Sequence, residues 1–278
     1  MGFRLNSNGY LENVSEIRIY GGSGNNTIDR WEIHAEKRER EWRELRAKQE
    51  ERLRAEKAER EERLKNRVID VEIVNSIPEE ILTHITNLYR MEQLDTLDTL
   101  GSGAYGRVYG YGDYAIKYIH NVNNTEEEEG IPDVKILKDI GHLDCIPTLY
   151  AVIDERAIII ERVHGKTFGN YMVDIKNPLG IGSEFIDKWE KALFEVLKQG
   201  YSPNDLHEHN VMIDERTLTP MIVDIGLFKK HREYIDETTY KSNSGYSTAQ
   251  SWAGRALNSY IERASMRKKM NDNRFLAV

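Results

Sequence analysis

Three short stretches of the chain carry residue types whose spacing suits phosphate and metal chemistry. The first is Leu100-Gly101-Ser102-Gly103-Ala104-Tyr105-Gly106-Arg107-Val108, a GxGxxG pattern followed by Val. Small residues there let backbone N–H groups come close to phosphate oxygens. Eleven residues beyond Gly106, Lys117 closes Tyr114-Ala115-Ile116-Lys117, where an ammonium could hold the α- and β-phosphates of a nucleotide. The second stretch is Asn204-Asp205-Leu206-His207-Glu208-His209-Asn210, an acid and an amide five residues apart, just before the apolar Val211-Met212-Ile213. Asp205 could orient or deprotonate an attacking hydroxyl, and Asn210 could ligate Mg²⁺ through its amide oxygen. The third is Met221-Ile222-Val223-Asp224-Ile225-Gly226, an apolar strand ending in a carboxylate fourteen residues after Asn210. Asp224 is suited to bridge Mg²⁺ ions to the β- and γ-phosphates.

The elements around these stretches decide what the glycines mean. A dinucleotide-binding loop has the same spacing but opens a helix. Here Leu97 to His120 alternates apolar and polar residues around turn glycines, which predicts an antiparallel ribbon with Lys117 on the strand after the loop. Leu149 to Val163 predicts two further strands around Asp154-Glu155-Arg156. From Ser183 to Gln199, Phe185, Ile186, Trp189, Leu193 and Val196 return to helical spacing, with Gly200 as a stop. Trp252 to Arg274 reads as a closing helix with a basic end at Arg267-Lys268-Lys269. Strands first and helices later point to an α+β chain with a strand-rich lobe joined to a helical one.

Ahead of this lies an extension of different character. Residues 1–34 form a polar arm in which Gly21-Gly22-Ser23-Gly24-Asn25-Asn26 reads as a turn between short strands or as a loosely ordered segment. Residues 35–67 hold Glu, Arg, Lys, Ala and Leu without Gly or Pro, which predicts a helix of roughly 50 Å at about 1.5 Å per residue. Glu36/Arg40, Glu39/Arg43, Glu44/Lys48, Glu50/Arg54, Glu56/Arg60, Glu59/Arg63 and Glu61/Lys65 stand at i,i+4, so the helix can stand solvated. A coiled-coil seam fails where Trp42 and Leu45 are followed by Gln49 and Arg52. The alternatives are a self-supporting charged helix and one that binds a protein partner or self-associates. In residues 68–95 an amphipathic helix after Pro78 presents Ile81, Leu82, Ile85, Leu88 and Met91 on one face, for packing on the following domain.

The length of 278 residues suffices for two small lobes with a cleft between them. A net charge of -8 argues against a nucleic-acid-binding surface. Cys145 is the single cysteine, so no internal disulfide forms and a reducing, cytoplasmic compartment is expected. The N-terminus has no signal-peptide core, and no run approaches the ~20 apolar residues of a membrane span.

In their order and spacing, the glycine loop, Ala115-Ile116-Lys117, D-L-x-x-x-N at Asp205 to Asn210 and D-x-G at Asp224 to Gly226 resemble the protein-kinase-like superfamily over roughly residues 96 to 230. The resemblance implies a bilobal fold, with a β-rich N-lobe at 96–162 and a reduced helical C-lobe and tail at 163–278. It implies ATP and Mg²⁺ as cofactors. Gly101, Ser102, Gly103, Ala104, Tyr105, Gly106, Val108, Ala115 and Lys117 would contact the nucleotide. Ile160 would be the gatekeeper, Glu161 to Val163 the hinge that meets adenine, and Gly165 the close of the turn into the second lobe. Asp133 falls where the family has the Glu that pairs with the strand Lys, one methylene shorter, and one of Glu126 to Glu129 could take its place.

The chain departs from ordinary protein kinases elsewhere. The H-R-D triplet is Pro203-Asn204-Asp205, without the Arg that would bind a phosphorylated activation loop. His207 stands where Lys is usual, which looks more like the RIO and aminoglycoside phosphotransferase groups. His207 and His209 have no evident third ligand for a metal. Ile225 replaces Phe in D-F-G, no A-P-E follows, and 52 residues remain after Gly226. Thr238, Thr239, Tyr240, Ser242, Ser244, Tyr246, Ser247, Thr248 and Ser251 form a hydroxyl-rich stretch read as a polar loop. The leading expectation is an atypical protein serine/threonine kinase. The alternatives are a small-molecule kinase and a pseudokinase scaffold that binds a partner through 35–67.

Overall fold

The computed structural model describes residues 2–5, 11–14, 26–103, 106–119, 131–173, 181–230 and 235–275, with side chains from residue 34 onward except at 267–268 and 270–275. The chain divides into two units, Met1–Arg63 and Leu64–Val278. The first holds an antiparallel hairpin of β1 (Gly2–Leu5) and β2 (Leu11–Val14) and most of helix α1 (Asn26–Lys65). The glycine-rich segment at 21–25 lies outside the described residues. Helix α1 starts at Asn26 rather than near Ala35, because no Gly or Pro interrupts the chain after Gly24. Every residue from His34 to Arg63 is exposed except half-buried Trp42. Of the expected pairs, Glu39–Arg43 closes at 2.6 Å, while Lys37–Glu41, Arg52–Glu56 and Lys57–Glu61 run in the opposite sense. Glu56 and Glu61 each have a basic residue four positions to either side, so both senses are open.

The second unit is mixed α and β. Strand β3 (Val71–Ile73) and helix α2 (Glu79–Arg90) precede β4 (Asp98–Ser102), β5 (Gly106–Tyr111) and β6 (Tyr114–Ile119). Helix α3 (Pro132–Ile140), β7 (Leu149–Ile153) and β8 (Ala157–Glu161) follow. These strands make one antiparallel sheet in the order β3-β7-β8-β6-β5-β4. Strand β3 was not expected; three residues are too few to show alternation, and its pairing with β7 defines it.

The central strands of the sheet are covered on both faces. Period-2 alternation sends Ala115 and Ile119 of β6 and Ile158 and Ile160 of β8 into the core that includes Ile136, Leu137 and Ile140 of α3. Ile116 and Ile159 enter the opposite core with Ile85 and Tyr89 of α2. That double burial explains the unbroken Ile158-Ile159-Ile160 run. Met91, expected on the apolar face of α2, lies just past the last turn as its C-cap.

Beyond β8 come β9 (Gly165–Thr167), α4 (Phe168–Val173), α5 (Glu184–Lys198), β10 (Tyr201–Ser202), β11 (Val211–Asp214), β12 (Thr219–Ile222) and β13 (Lys229–Lys230). They form a three-stranded sheet, β12-β11-β9, and a two-stranded one, β10-β13. Gly165, expected to close a turn, instead opens β9 opposite Asp214; a side chain there would run into the Ile213 carbonyl. Helices α6 (Ser244–Ala249) and α7 (Arg255–Phe275), joined by a π turn, end the unit. Trp189 of α5 is fully buried and donates to Gln250 of the π turn at 3.0 Å. No helix among the described residues is long and apolar enough to cross a membrane.

Candidate functional site

Lys117 leaves β6 on the same face as Ala115 and Ile119, toward α3. Its Nζ lies 2.9 Å from Asp133 Oδ2 and 3.3 Å from Asp224 Oδ1. The Asp133 side chain is 7% exposed and that of Lys117 16%, a degree of burial that ions tolerate only when paired. Burial by itself lowers the Lys117 pKa, but the Asp133 and Asp224 carboxylates more than offset it and hold the ammonium above its ordinary value. Asp133 lies in the first turn of α3, behind Pro132, where a carboxylate also complements the helix N-terminus. Glu126 to Glu129, the alternative partners, lie outside the described residues.

A cleft of about 780 Å³ opens beside this pair. Gly101, Ser102, Gly103, Val108, Ala115, Lys117, Ile160, Glu161, Val163, Asn210 and Asp224 all line it. Gly106, Asp133 and Asp205 do not line it. Ala104 and Tyr105 lie outside the described residues, and the Gly103 N–H donates to the Gly106 carbonyl at 2.9 Å across them. The glycines differ in kind. A Cβ at Gly106 would strike the Tyr118 carbonyl of the neighbouring strand, so that glycine serves sheet packing. Among the described residues a Cβ at Gly101 or Gly103 would meet nothing within 4 Å. No packing demand among those residues accounts for their smallness, which leaves the backbone there open to close approach.

Asp205 and Asn210 sit in a loop knitted by its own polar groups. Asn210 Nδ2 donates to the Asp205 carbonyl at 2.9 Å, and the His207 N–H donates to the same carbonyl at 3.1 Å. With Nδ2 engaged, Oδ1 of Asn210 is the atom left to ligate a cation. The Asn210 carbonyl accepts from the Val223 N–H at 3.0 Å, which ties it to the residue before Asp224. Asp224 is half exposed and gives Oδ1 to Lys117. One amide oxygen and one carboxylate on a shared cleft are a donor set that suits Mg²⁺ completed by phosphate oxygens. Among the described residues no group of three or more His, Cys, Asp and Glu could hold a metal by itself. Asp205 has a left-handed backbone, φ +55°, and is exposed. Asp tolerates that conformation better than most residues.

His164 and Arg216, which line the cleft, belong to a cluster that sequence reading missed. Asp113 in the β5–β6 turn accepts from His164 Nε2 at 2.8 Å and from Arg216 Nη1 at 3.1 Å. Buried Asp214 accepts from the backbone N–H groups of Arg216, Thr217 and His164. Asp113 and Arg216 stand 103 positions apart, and no local pattern joins the cluster. Met212 and Val223 also line the cleft. Their only signal was membership of the apolar strand next to Asn210 or Asp224. The backbone N–H and C=O of Val163 pair with no group among the described residues.

No protein-family model matches the chain. It is 28% identical over 160 residues to the cyclin-dependent kinase B2-2 of Arabidopsis thaliana, covering 49% of this chain and 50% of that protein. It is 24% identical over 140 residues to a Bacillus subtilis (strain 168) protein provisionally named serine/threonine-protein kinase YrzF, covering 50% of this chain and 63% of that protein. The matched stretch thus spans about half to under two thirds of these relatives. Over that stretch the chain is distantly similar to protein kinases.

Proposed function

We propose that the chain is an ATP- and Mg²⁺-dependent phosphotransferase on a bilobal, protein-kinase-like fold, and that it transfers the γ-phosphoryl group to a serine or threonine hydroxyl of a protein. Residues 96–162, with β3 added at the edge of their sheet, would form the β-rich lobe and 163–278 the reduced helical one. The observation that carries the reading is the convergence of Lys117, Asn210 and Asp224 on one cleft roofed by Gly101 and Gly103. The distant similarity to two proteins named as kinases supports it.

In this reading Lys117, oriented by Asp133, holds the α- and β-phosphates. Backbone N–H groups of the glycine loop border the phosphate chain. The Val163 N–H and C=O pair with the adenine edge, between Ala115 and Met212. Asn210 and Asp224 would hold Mg²⁺, which when bound would supply charge neutralisation to the phosphates. Asp205 orients the acceptor hydroxyl and takes its proton as the new O–P bond forms and ADP leaves with the cleaved bond's electron pair. Positioning and charge neutralisation provide most of the rate enhancement.

A second reading, nucleotide binding without transfer, is favoured by one observation: Asp205 is exposed and does not line the cleft. Purified protein with radiolabelled ATP, Mg²⁺ and either protein or small hydroxyl acceptors separates the readings. Label on protein that disappears with Asp205→Ala is the expected result. Label only on small molecules reassigns the acceptor class. Saturable ATP binding with no Asp205-dependent label on any acceptor overturns the catalytic reading.

A further inference from the structure

Helix α3 is tied at its last turn to Lys230 and at its first turn, through Lys117, to Asp224. At its first turn Asp133 holds Lys117, which also reaches Asp224, and a Cβ on Gly226 would stand 3.1 Å from Asp133 Oδ1. At its last turn Asp139 Oδ2 accepts from Tyr201 Oη at 2.6 Å and from Lys230 Nζ at 2.6 Å. Tyr201 and Lys230 are cross-strand partners in the β10–β13 pair, and the Lys230 ammonium lies 5.1 Å over the Tyr201 ring. Tyr201 is 2% exposed, so its hydroxyl presents a fixed donor. Lys138, next to Asp139, holds Glu72 of β3 at 2.7 Å.

We propose that Asp139, Tyr201 and Lys230 form a positioning clamp that sets α3, and through it the Lys117–Asp133 pair, for phosphoryl transfer. The proposal rests on the phosphotransferase reading above. Its physical basis is the short reach of an aspartate. Asp133 meets Lys117 only over a narrow range of helix positions, and a functional constellation tolerates errors of about 0.5 Å. The two α3 carboxylates lie six residues apart, roughly 9 Å along the axis. Fixing both ends to the Asp224–Lys230 stretch therefore sets the helix's register and its rotation together. Asp139 touches neither the cleft nor Asp224, so its effect travels through the helix. The clamp also makes the placement of α3 depend on β13 remaining docked against β10. It consists of side chains already present in the chain and needs no added phosphate.

The test compares Asp139→Asn, Lys230→Met, Tyr201→Phe and the reversal Asp139→Lys with Lys230→Glu. Two readouts are taken on the full chain: amide hydrogen exchange of α3 without nucleotide, and kcat with the acceptor KM. Asp139→Asn is expected to speed α3 exchange and to lower kcat by about tenfold each, the size of a typical intersite coupling, with the acceptor KM within about twofold. Asp139→Asn combined with Lys230→Met should do little more than either alone, and the reversal should recover most of both losses. Tyr201→Phe, which keeps the Lys230 contact, should fall between. Unchanged α3 exchange in Asp139→Asn overturns the clamp, and does so even if the chain transfers no phosphate. Faster exchange with kcat intact also overturns it, since the contact would then serve stability alone. Absence of transfer in the unaltered chain, with α3 exchange still sensitive to Asp139, counts against the phosphotransferase reading and thereby removes the role proposed for the clamp.

Discussion

Asp133 Oδ2 stands 2.9 Å from the Lys117 ammonium, although its side chain is one methylene shorter than a glutamate's. The first turn of α3 therefore lies close enough to β6 for an aspartate to span the gap. Asp133 is 5% exposed, and a Cβ on Gly226 would stand 3.1 Å from its other oxygen, Oδ1.

A longer side chain in this buried pair must displace Lys117 or the first turn of α3. Asp133→Glu is expected to lose about 1–3 kcal/mol of stability through overpacking. Asp133→Ala leaves Lys117 with Asp224 alone, and should cost about 3 kcal/mol and raise the ATP KM about tenfold. Urea unfolding and nucleotide titration check both. Losses under about 0.5 kcal/mol, the range of neutral surface changes, would show that the pair is not buried as described.

The same pair has an alkaline signature. Unfolded Lys117 titrates at its ordinary value of 10.5 and the folded residue above it. Its stabilisation is complete below the ordinary value and is lost as pH rises through the higher folded one. The stability difference between the wild type and Lys117→Met should therefore stay level from pH 8 to about 10 and shrink beyond it. Urea midpoints across that range measure it, and a difference that shrinks between pH 7 and 9 contradicts the raised pKa.

The two kinds of glycine should separate cleanly on substitution. Gly106→Ala meets the Tyr118 carbonyl and should cost about 1–3 kcal/mol, visible as a lowered urea midpoint. Gly103→Ala meets no atom of the described residues within 4 Å and should leave stability within about 0.5 kcal/mol. If phosphate occupies the space above Gly103, that variant weakens ATP binding, read by calorimetry. Equal ATP affinity would move the phosphate chain away from this loop.

Cys145 is 5% exposed, and burial pushes its thiol up to about 12. Since the thiolate is the nucleophile, native protein should react with iodoacetamide at pH 8 at least about a thousandfold more slowly than unfolded protein. A mass-spectrometric time course with and without urea checks it. Fast labelling of native protein would mean that the β7 end of the core opens readily.

Much of the candidate site was legible because its parts are local. The glycine loop, the Lys on the next strand, the Asp–Asn pair five apart and the strand-end Asp each read within ten residues or so. The ribbon and α5 were equally readable, since periods of 2 and 3.6 report which faces are buried. Strand β3 and the true start of α1 were less so: one is too short to alternate, and the other extends a charged helix that has no apolar face to mark its limit.

The chain by itself determined which residue types stand at which spacings, and hence that phosphate and Mg²⁺ chemistry was the reading to pursue. Only the tertiary structure decided that Asp133 is Lys117's partner, that Gly106 serves packing while Gly101 and Gly103 leave open space, and that Asp139 meets Tyr201 and Lys230. The reason is physical. Ion pairing and steric demand depend on distances between strands and helices distant in sequence, and those distances are set by how both faces of the sheet are buried, not by any local run of residues.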